Sequence, residues 1–122
     1  MEHSILIVDD NKVIRRAMRS LFESIPGWSV CGEAVNGREG IEKAQRLKPD
    51  VIVLDMSMPE MDGIAVAKVL KVLMPQVPLI MFTNFAEDQF LKREVVSAGI
   101  SRVVSKPDSK ALVHAVEEAL AA

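Results

Sequence analysis

Short apolar runs alternate along this chain with longer segments in which apolar residues recur every three or four positions. Short runs of this kind are typical of strands, and the longer period is typical of helices with one buried face. Strands that alternate with helices indicate βαβ units and a parallel sheet. The predicted strands are 4–8, 28–33, 51–54, 79–82 and 102–104.

Capping and breaking residues mark the ends of the predicted helices. Asn11 can cap the first helix, and Asp108 or Ser109 can cap the last one. The third helix is predicted to begin at Gly63 and to run to about Met74.

The fourth predicted helix spans 86–98. Its apolar spacing directs Phe90, Leu91 and Val95 inward, and Gly99 follows it as the expected C-terminal glycine.

These elements fit one domain that covers residues 1–122. The strand 51–54 is apolar throughout, as expected of a central strand buried on both faces. With right-handed crossovers, the simplest arrangement is an α/β fold with a single doubly wound sheet of five parallel strands. The strand order is then 2-1-3-4-5, as in flavodoxin-like folds, with helices on both faces.

Composition narrows the classes of function. Hydrophobic residues make up 49% of the chain and charged residues 26%, a balance typical of a soluble globular protein. The net charge of −2 argues against direct binding of nucleic acid. No basic segment leads into a long apolar one, so we expect no membrane contact and a cytoplasmic location. The single cysteine, Cys31, excludes an intrachain disulfide and is expected to be a small core residue.

Three carboxylates follow predicted strands. Asp9 and Asp10 come directly after the first strand, and Asp55 comes after the third. In the predicted sheet these strand ends are adjacent, at the crevice where open α/β sheets bind ligands. Two carboxylates about 4 Å apart repel by roughly 4 kcal/mol at an effective dielectric constant near 20, so the cluster needs a counter-charge or a proton. Oxygen ligands of this kind suit Mg²⁺, with Mn²⁺ as an alternative.

A hydroxyl and an ammonium group are predicted at the same edge. Thr83 follows the fourth strand and Lys106 follows the fifth. Acids, a hydroxyl and a lysine in one cleft favour phosphoryl chemistry, in which positioning and charge neutralisation do most of the work. A carboxylate can itself be the nucleophile and form an aspartyl phosphate.

The same residues resemble a known family. The acid pair, the D-x-x-M-P-x-M-D-G loop, the threonine and the Lys-Pro pair are similar to those of receiver domains in two-component response regulators, a family that includes chemotaxis regulators. The resemblance covers nearly the whole chain and rests on residues 7–11, 55–63, 82–83 and 104–107. Other segments look more like receivers attached to LuxR-type DNA-binding domains, namely 26–28, 32–34 and 36–39.

The resemblance implies a role for each acid. Asp55 is then the phosphoacceptor. Asp10 and Asp55 are direct Mg²⁺ ligands, Asp9 acts through metal-bound water, and Ser57 offers its backbone carbonyl to the metal.

The resemblance also implies roles for the other two positions. Lys106 should pair with the phosphoryl oxygens, and a cis peptide bond to Pro107 should direct its side chain toward the cleft. Thr83 should donate a hydrogen bond to one of those oxygens and move inward. Relatives commonly carry an aromatic residue three positions before the lysine, where this chain has Val103. We therefore hypothesise that the output surface responds through Thr83 and the loop after it.

Partners follow from the same resemblance. A sensor histidine kinase or a phosphotransfer protein would donate the phosphoryl group. The output would be a partner protein or a DNA-binding domain that this sequence lacks, and both a stand-alone receiver and a part of a longer regulator fit. The face of helix 4, strand 5 and helix 5 is a candidate homodimer interface. The chain is expected not to be an enzyme, although it assists its own phosphorylation and dephosphorylation.

A haloacid dehalogenase-like phosphatase and a flavodoxin-like cofactor module are the two alternative functions. A haloacid dehalogenase-like phosphatase would need a second acid two positions after its nucleophile, and residues 55–57 lack it. A flavodoxin-like cofactor module would need a glycine- or hydroxyl-rich loop after the first strand to bind a phosphate. Residues 9–12 offer two carboxylates there instead.

Overall fold

A computed structural model describes residues 2–121 of the chain. Within these residues, five strands alternate with five helices, and the strands form one parallel sheet in the order β2-β1-β3-β4-β5. The fold class and strand order predicted from the sequence are therefore confirmed. The strands are β1 (His3–Val8), β2 (Trp28–Ala34), β3 (Val51–Leu54), β4 (Leu79–Thr83) and β5 (Arg102–Ser105). The helices are α1 (Lys12–Glu23), α2 (Gly37–Leu47), α3 (Gly63–Leu73), α4 (Gln89–Ala98) and α5 (Ser109–Ala121).

The sheet is covered by hydrophobic cores on both faces. Alternate strand side chains point to opposite faces, so Ile5 and Ile7 pack with α1 and α5, whereas Leu6 and Val8 pack with α2, α3 and α4. All four side chains of β3 are fully buried. A central apolar strand of this kind holds the residue that follows it at a well-defined place on the sheet edge.

Strand register brings the polar strand ends together. Val8 pairs with Leu54, and the Asp55 N–H donates to the Val8 carbonyl across 2.9 Å. At the next strands, the Lys106 N–H donates to the Thr83 carbonyl across 2.9 Å. The carboxyl ends of β1, β3, β4 and β5 therefore share one edge of the sheet.

Side-chain oxygens cap the helices. Asn11 accepts from the N–H groups of Val13 and Ile14, and Asp108 accepts from Ala111, so both predicted caps are confirmed. Such caps satisfy N–H groups that have no partner within the helix. The remaining caps are Asn36, Asp62 and Asp88.

The predicted start of the fourth helix at residue 86 is wrong. The helix begins at Gln89, because the Asp88 side chain accepts the Leu91 N–H and so caps the helix there. The preceding residues form a turn, which is closed by the hydrogen bond from the Asp88 N–H to the Phe85 carbonyl.

The inward orientation predicted for Phe90 is also wrong. Its side chain is 65% exposed, whereas Leu91 is 2% exposed and Val95 packs against the core. The apolar stripe of α4 is therefore narrower than the sequence suggested. Gly99 ends the helix with a φ of 76°, which confirms the predicted C-terminal glycine.

The surroundings of Cys31 and the length of the helices bear on two further expectations from the sequence. Cys31 packs against the core and is half-buried, and burial raises the pKa of its thiol. Across residues 2–121, no helix combines the length and the hydropathy that a membrane span requires.

Candidate functional site

Three carboxylates lie together at the carboxyl edge of the sheet. One oxygen from each of Asp9, Asp10 and Asp55 lies within 4.8 Å of the other two. Asp9 is fully buried, Asp55 is 7% exposed and Asp10 is exposed. The cluster that the sequence predicted is thus present, with two members in the protein interior and one at the surface.

Lys106 is the positive charge that reaches this cluster. Its Nζ lies 2.9 Å from Asp9 Oδ2 and 3.4 Å from Asp55 Oδ1. The lysine side chain is only 8% exposed, and its ammonium group lies 5.8 Å from the centre of the Phe82 ring. The Lys106–Pro107 peptide bond is cis, as the resemblance implied. Lys106 therefore points into the acidic cleft and not into bulk solvent.

The charges of the cleft are not balanced by Lys106 alone. Three carboxylates and one ammonium group, each counted at its usual charge, give this partly buried space a formal net charge of about −2. Burial raises the pKa of the Asp55 carboxyl group and the charge of Asp9 raises it further, while Lys106 acts in the opposite direction. Hard carboxylate oxygens with this excess of negative charge fit a divalent cation such as Mg²⁺.

Thr83 is the last residue of β4, the strand that pairs with β3. It is fully buried, and its Oγ1 accepts a hydrogen bond of 3.1 Å from the Phe85 N–H. The hydroxyl proton remains free to be donated elsewhere, because a hydroxyl has one donor and two acceptor sites. Thr83 thus connects the sheet edge to the turn that precedes α4.

A structured loop follows Asp55. The Gly63 N–H donates to the Met56 carbonyl across 2.8 Å, which closes the loop onto the end of β3. A Cβ atom at Gly63 would overlap the carbonyl oxygen of Asp55, so only glycine permits this close approach. Ser57 in this loop is exposed. Ser57 and Asp10 both line a shallow surface depression of about 460 Å³.

The structure also reveals a group that the sequence did not indicate. Arg15 on α1 donates through Nη1 to the Asp9 carbonyl across 2.7 Å and through Nε to Glu33 Oε1 across 3.0 Å. Glu33 lies 18 residues away on β2. No local pattern in the sequence marks this pair, since it depends on how α1 packs beside β2.

Val103 occupies the position at which the resemblance implied an aromatic residue. It lies in the middle of β5, is half-buried and packs against the core on the side of α2, α3 and α4. It therefore lacks the large ring that could alternate between an inward and an outward position.

Comparison with protein-family models gives a match to the response regulator receiver domain over residues 5–117. Among curated proteins, a protein-glutamate methylesterase/protein-glutamine glutaminase of Alkalilimnicola ehrlichii is 40% identical over 107 residues. The match covers 87% of this chain and 27% of that protein. The response regulator protein VraR of Staphylococcus aureus is 32% identical over 118 residues, which cover 97% of this chain and 56% of VraR.

Solved structures show the same fold. The response regulator domain of Thermotoga maritima CheB has a TM-score of 0.93 at 28% identity, covering 100% of this chain and 98% of that domain. A LuxR-family response regulator from Aurantimonas sp. SI85-9A1 has a TM-score of 0.92 at 29% identity, covering 99% of this chain and 86% of that one. The chain spans about a quarter to a half of the length of the curated relatives given above.

Proposed function

This chain belongs to the response regulator receiver domain family of two-component signalling, and from that premise we propose that Asp55 accepts a phosphoryl group in a Mg²⁺-dependent reaction. The observation that supports the proposal best is the placement of Asp55. It is a nearly buried carboxylate whose oxygen lies 3.4 Å from Lys106 Nζ and within 4.8 Å of two further acids. A carboxylate in this setting can act as a nucleophile if the charge of the incoming group is neutralised.

The proposed reaction moves a phosphoryl group from a phosphohistidine to Asp55. One carboxylate oxygen of Asp55 attacks phosphorus, the new O–P bond forms, and the P–N bond of the donor breaks. The imidazole leaves with the electron pair of that bond and takes up a proton. The product is a mixed anhydride on Asp55, which water can later hydrolyse to release inorganic phosphate and restore the carboxylate.

The residues that would hold the cation are Asp9, Asp10, Asp55 and the backbone carbonyl of Ser57. Mg²⁺, or Mn²⁺ in its place, supplies neutralisation of the charge on the phosphoryl oxygens when it is bound. Asp9 also has a second role, because its Oδ2 accepts a hydrogen bond from the Lys106 ammonium group. Asp9 thereby keeps Lys106 next to the acceptor.

Lys106 and Thr83 would bind the transferred group. Lys106 contacts both Asp9 and Asp55 here, and it can exchange the Asp55 contact for a phosphoryl oxygen without leaving Asp9. Thr83 can donate its hydroxyl proton to another phosphoryl oxygen. Because Thr83 also accepts the Phe85 N–H, an inward movement of the hydroxyl would pull on the turn before α4.

The hydrogen bond between Thr83 and Phe85 would transmit the effect of phosphorylation to the output surface. We propose that the turn after β4 and the adjacent α4, β5 and α5 surface change when Asp55 is phosphorylated, with no contribution from an aromatic ring at position 103. The same surface is the proposed homodimer or partner interface. The proposed donor is a sensor histidine kinase or a phosphotransfer protein, and the proposed recipient is a partner protein or a DNA-binding domain.

The proposal also covers the catalytic role of the chain and its location. We propose that the chain works as a phosphoacceptor that assists its own phosphorylation and dephosphorylation, and not as an enzyme for a separate substrate. The methylesterase relative extends far beyond the segment that matches this chain. A cytoplasmic location, as expected from the sequence, is also part of the proposal.

Intact-mass spectrometry after incubation with acetyl phosphate and Mg²⁺ tests the proposal. Wild type should gain one phosphoryl group, whereas Asp55→Asn and wild type with excess chelator should gain none. Asp62→Asn is a matched control from the same loop. Asp62 caps α3, and asparagine caps a helix as well as aspartate does, so this variant should gain the phosphoryl group as wild type does. Phosphorylation of Asp55→Asn would place the acceptor elsewhere.

A further inference from the structure

The peptide bond between the two adjacent acids is held by a guanidinium group from α1. Arg15 Nη1 donates to the Asp9 carbonyl oxygen across 2.7 Å, and the Arg15 side chain is only 12% exposed. A peptide unit is planar. Fixing the Asp9 carbonyl therefore also fixes the N–H and the Cα atom of Asp10, from which the second carboxylate projects.

Asp10 depends on this backbone constraint more than Asp9 does. The Asp9 carboxylate accepts a hydrogen bond of 2.8 Å from the Asn11 N–H and one of 2.9 Å from Lys106. The Asp10 carboxylate is exposed and accepts no hydrogen bond from another described residue. No side-chain hydrogen bond therefore holds this carboxylate, and its place relative to the other two acids depends on where the backbone directs the Cα–Cβ bond of Asp10.

Glu33 orients the guanidinium group of Arg15. Its Oε1 accepts from Arg15 Nε across 3.0 Å, and its Oε2 accepts from Arg19 Nε across 2.6 Å. Burial alone would raise the pKa of Glu33, but the hydrogen bonds and charges of Arg19 and Arg15 outweigh burial and lower that pKa. Glu33 thus remains ionised and offers a fixed acceptor. The planar fork of Arg15 can contact Glu33 and Asp9 at once, which a lysine ammonium cannot do with the same geometry.

We propose that Arg15, oriented by Glu33, is a positioning residue that aims the Asp10 carboxylate at the divalent cation. The inference rests on the proposed function of the acid cluster and adds to it a residue that touches neither the cation nor the phosphoryl group. Arg15 acts through the Asp9–Asp10 peptide bond.

Electrostatics alone predicts the opposite effect on cation binding. A guanidinium group near the acids repels a cation, so removing its charge should strengthen binding. The positioning role predicts weaker binding when Arg15 is removed, because Asp10 loses its preferred direction. The sign of the change in affinity therefore separates the two effects.

The experiment is a Mn²⁺ titration followed by electron paramagnetic resonance, on the unphosphorylated protein. Arg15→Ala and Arg15→Lys should both bind Mn²⁺ about tenfold more weakly than wild type, a loss typical of removing a group that orients a metal ligand. Arg19→Ala is the matched control. It removes a positive charge that also contacts Glu33, but it leaves the contact of Arg15 with the Asp9 carbonyl intact, so its Mn²⁺ affinity should be equal to or higher than that of wild type.

Each outcome decides the inference. Thermal unfolding without metal shows whether each variant is folded, and Arg15→Lys keeps the positive charge and the aliphatic stem if Arg15→Ala does not fold. Unchanged or tighter binding by Arg15→Ala, wild-type affinity of Arg15→Lys, or equal weakening by Arg19→Ala would each overturn the positioning role. If wild type itself bound no Mn²⁺, the proposed metal site would fail, which is a different result from a failure of Arg15 alone.

Discussion

Replacing Lys106 by methionine should destabilise the protein strongly when no divalent cation is present. Methionine keeps the unbranched, apolar stem of the side chain and removes only the ammonium group. Asp9 and Asp55 then remain in a largely buried space with no positive partner, since Lys106 Nζ is the ammonium group that both contact. Burying unpaired charges is unfavourable, so the folded state loses free energy relative to the unfolded one.

The distances set the scale of the effect. At an effective dielectric constant near 20, the contact of 2.9 Å with Asp9 corresponds to about 6 kcal/mol of Coulomb attraction and the contact of 3.4 Å with Asp55 to about 5 kcal/mol. The Asp9 and Asp55 oxygens, no more than 4.8 Å apart, repel by at least about 3.5 kcal/mol. Desolvation of the lysine offsets much of the attraction. Losing one partner of a buried ion pair therefore costs about 3 to 5 kcal/mol of unfolding free energy.

Urea denaturation with chelator and with saturating Mg²⁺ measures this cost. We expect Lys106→Met to be about 3 to 5 kcal/mol less stable than wild type with chelator, and to gain more stability from Mg²⁺ than wild type does. The cation replaces the missing positive charge in the variant. Lys110→Met is the control, because Lys110 is exposed in the first turn of α5. The reasoning is refuted if Lys106→Met is as stable as Lys110→Met with chelator, or if Mg²⁺ stabilises both variants equally.

Three further predictions follow from the site and its surroundings. The pKa of Asp55 is raised in the folded state, so the stability that protonated Asp55 contributes is complete below the unfolded pKa near 3.8 and is lost as the pH rises through the folded pKa. Without metal, Asp55→Asn should therefore be more stable than wild type at neutral pH, and the difference should vanish in acid. Urea denaturation across pH measures this difference. Gly63→Ala should lower the unfolding free energy by about 1 to 3 kcal/mol or more, since the new Cβ would overlap the Asp55 carbonyl; urea denaturation within error of wild type would contradict this. The half-buried thiol of Cys31 should react with a disulfide reagent more slowly in the native protein than in urea, and equal rates would show that partial burial does not protect it.

The sequence predicted well those features that depend on local patterns. Apolar runs such as 51–54 became fully buried strands, and Asn11 and Asp108 became helix caps. Strand ends in a parallel sheet must lie at one edge, so the gathering of Asp55 with Lys106 also followed from the pattern once the strand order was right.

The prediction failed where two local signals competed. Residues 86 and 87 are good helix formers, but Asp88 offers a side-chain oxygen to the Leu91 N–H, and this cap moves the start of α4 to Gln89. Periodicity also placed Phe90 inside, although it lies on the exposed side of α4 next to the buried Leu91.

Long-range contacts between side chains were beyond the reach of the sequence pattern. The contact of Arg15 with Glu33 and with the Asp9 carbonyl joins α1, β2 and the end of β1, and its existence depends on the packing angle of the helix. The pairing of Lys106 with Asp9 is similar, since it spans 97 residues. The sequence predicted that Lys106 faces the cleft, and only the structure shows which carboxylate it binds most closely.

The most direct test of the central claim locates the phosphoryl group on the chain. Borohydride reduces an aspartyl phosphate to homoserine, and fragmentation of the peptides by mass spectrometry then identifies the reduced residue. After phosphorylation by acetyl phosphate with Mg²⁺, the account predicts homoserine at position 55 and unmodified aspartate at positions 9 and 10. Homoserine at position 9 or 10 would contradict it. An equal yield of homoserine when chelator is present during the phosphorylation step would contradict it as well.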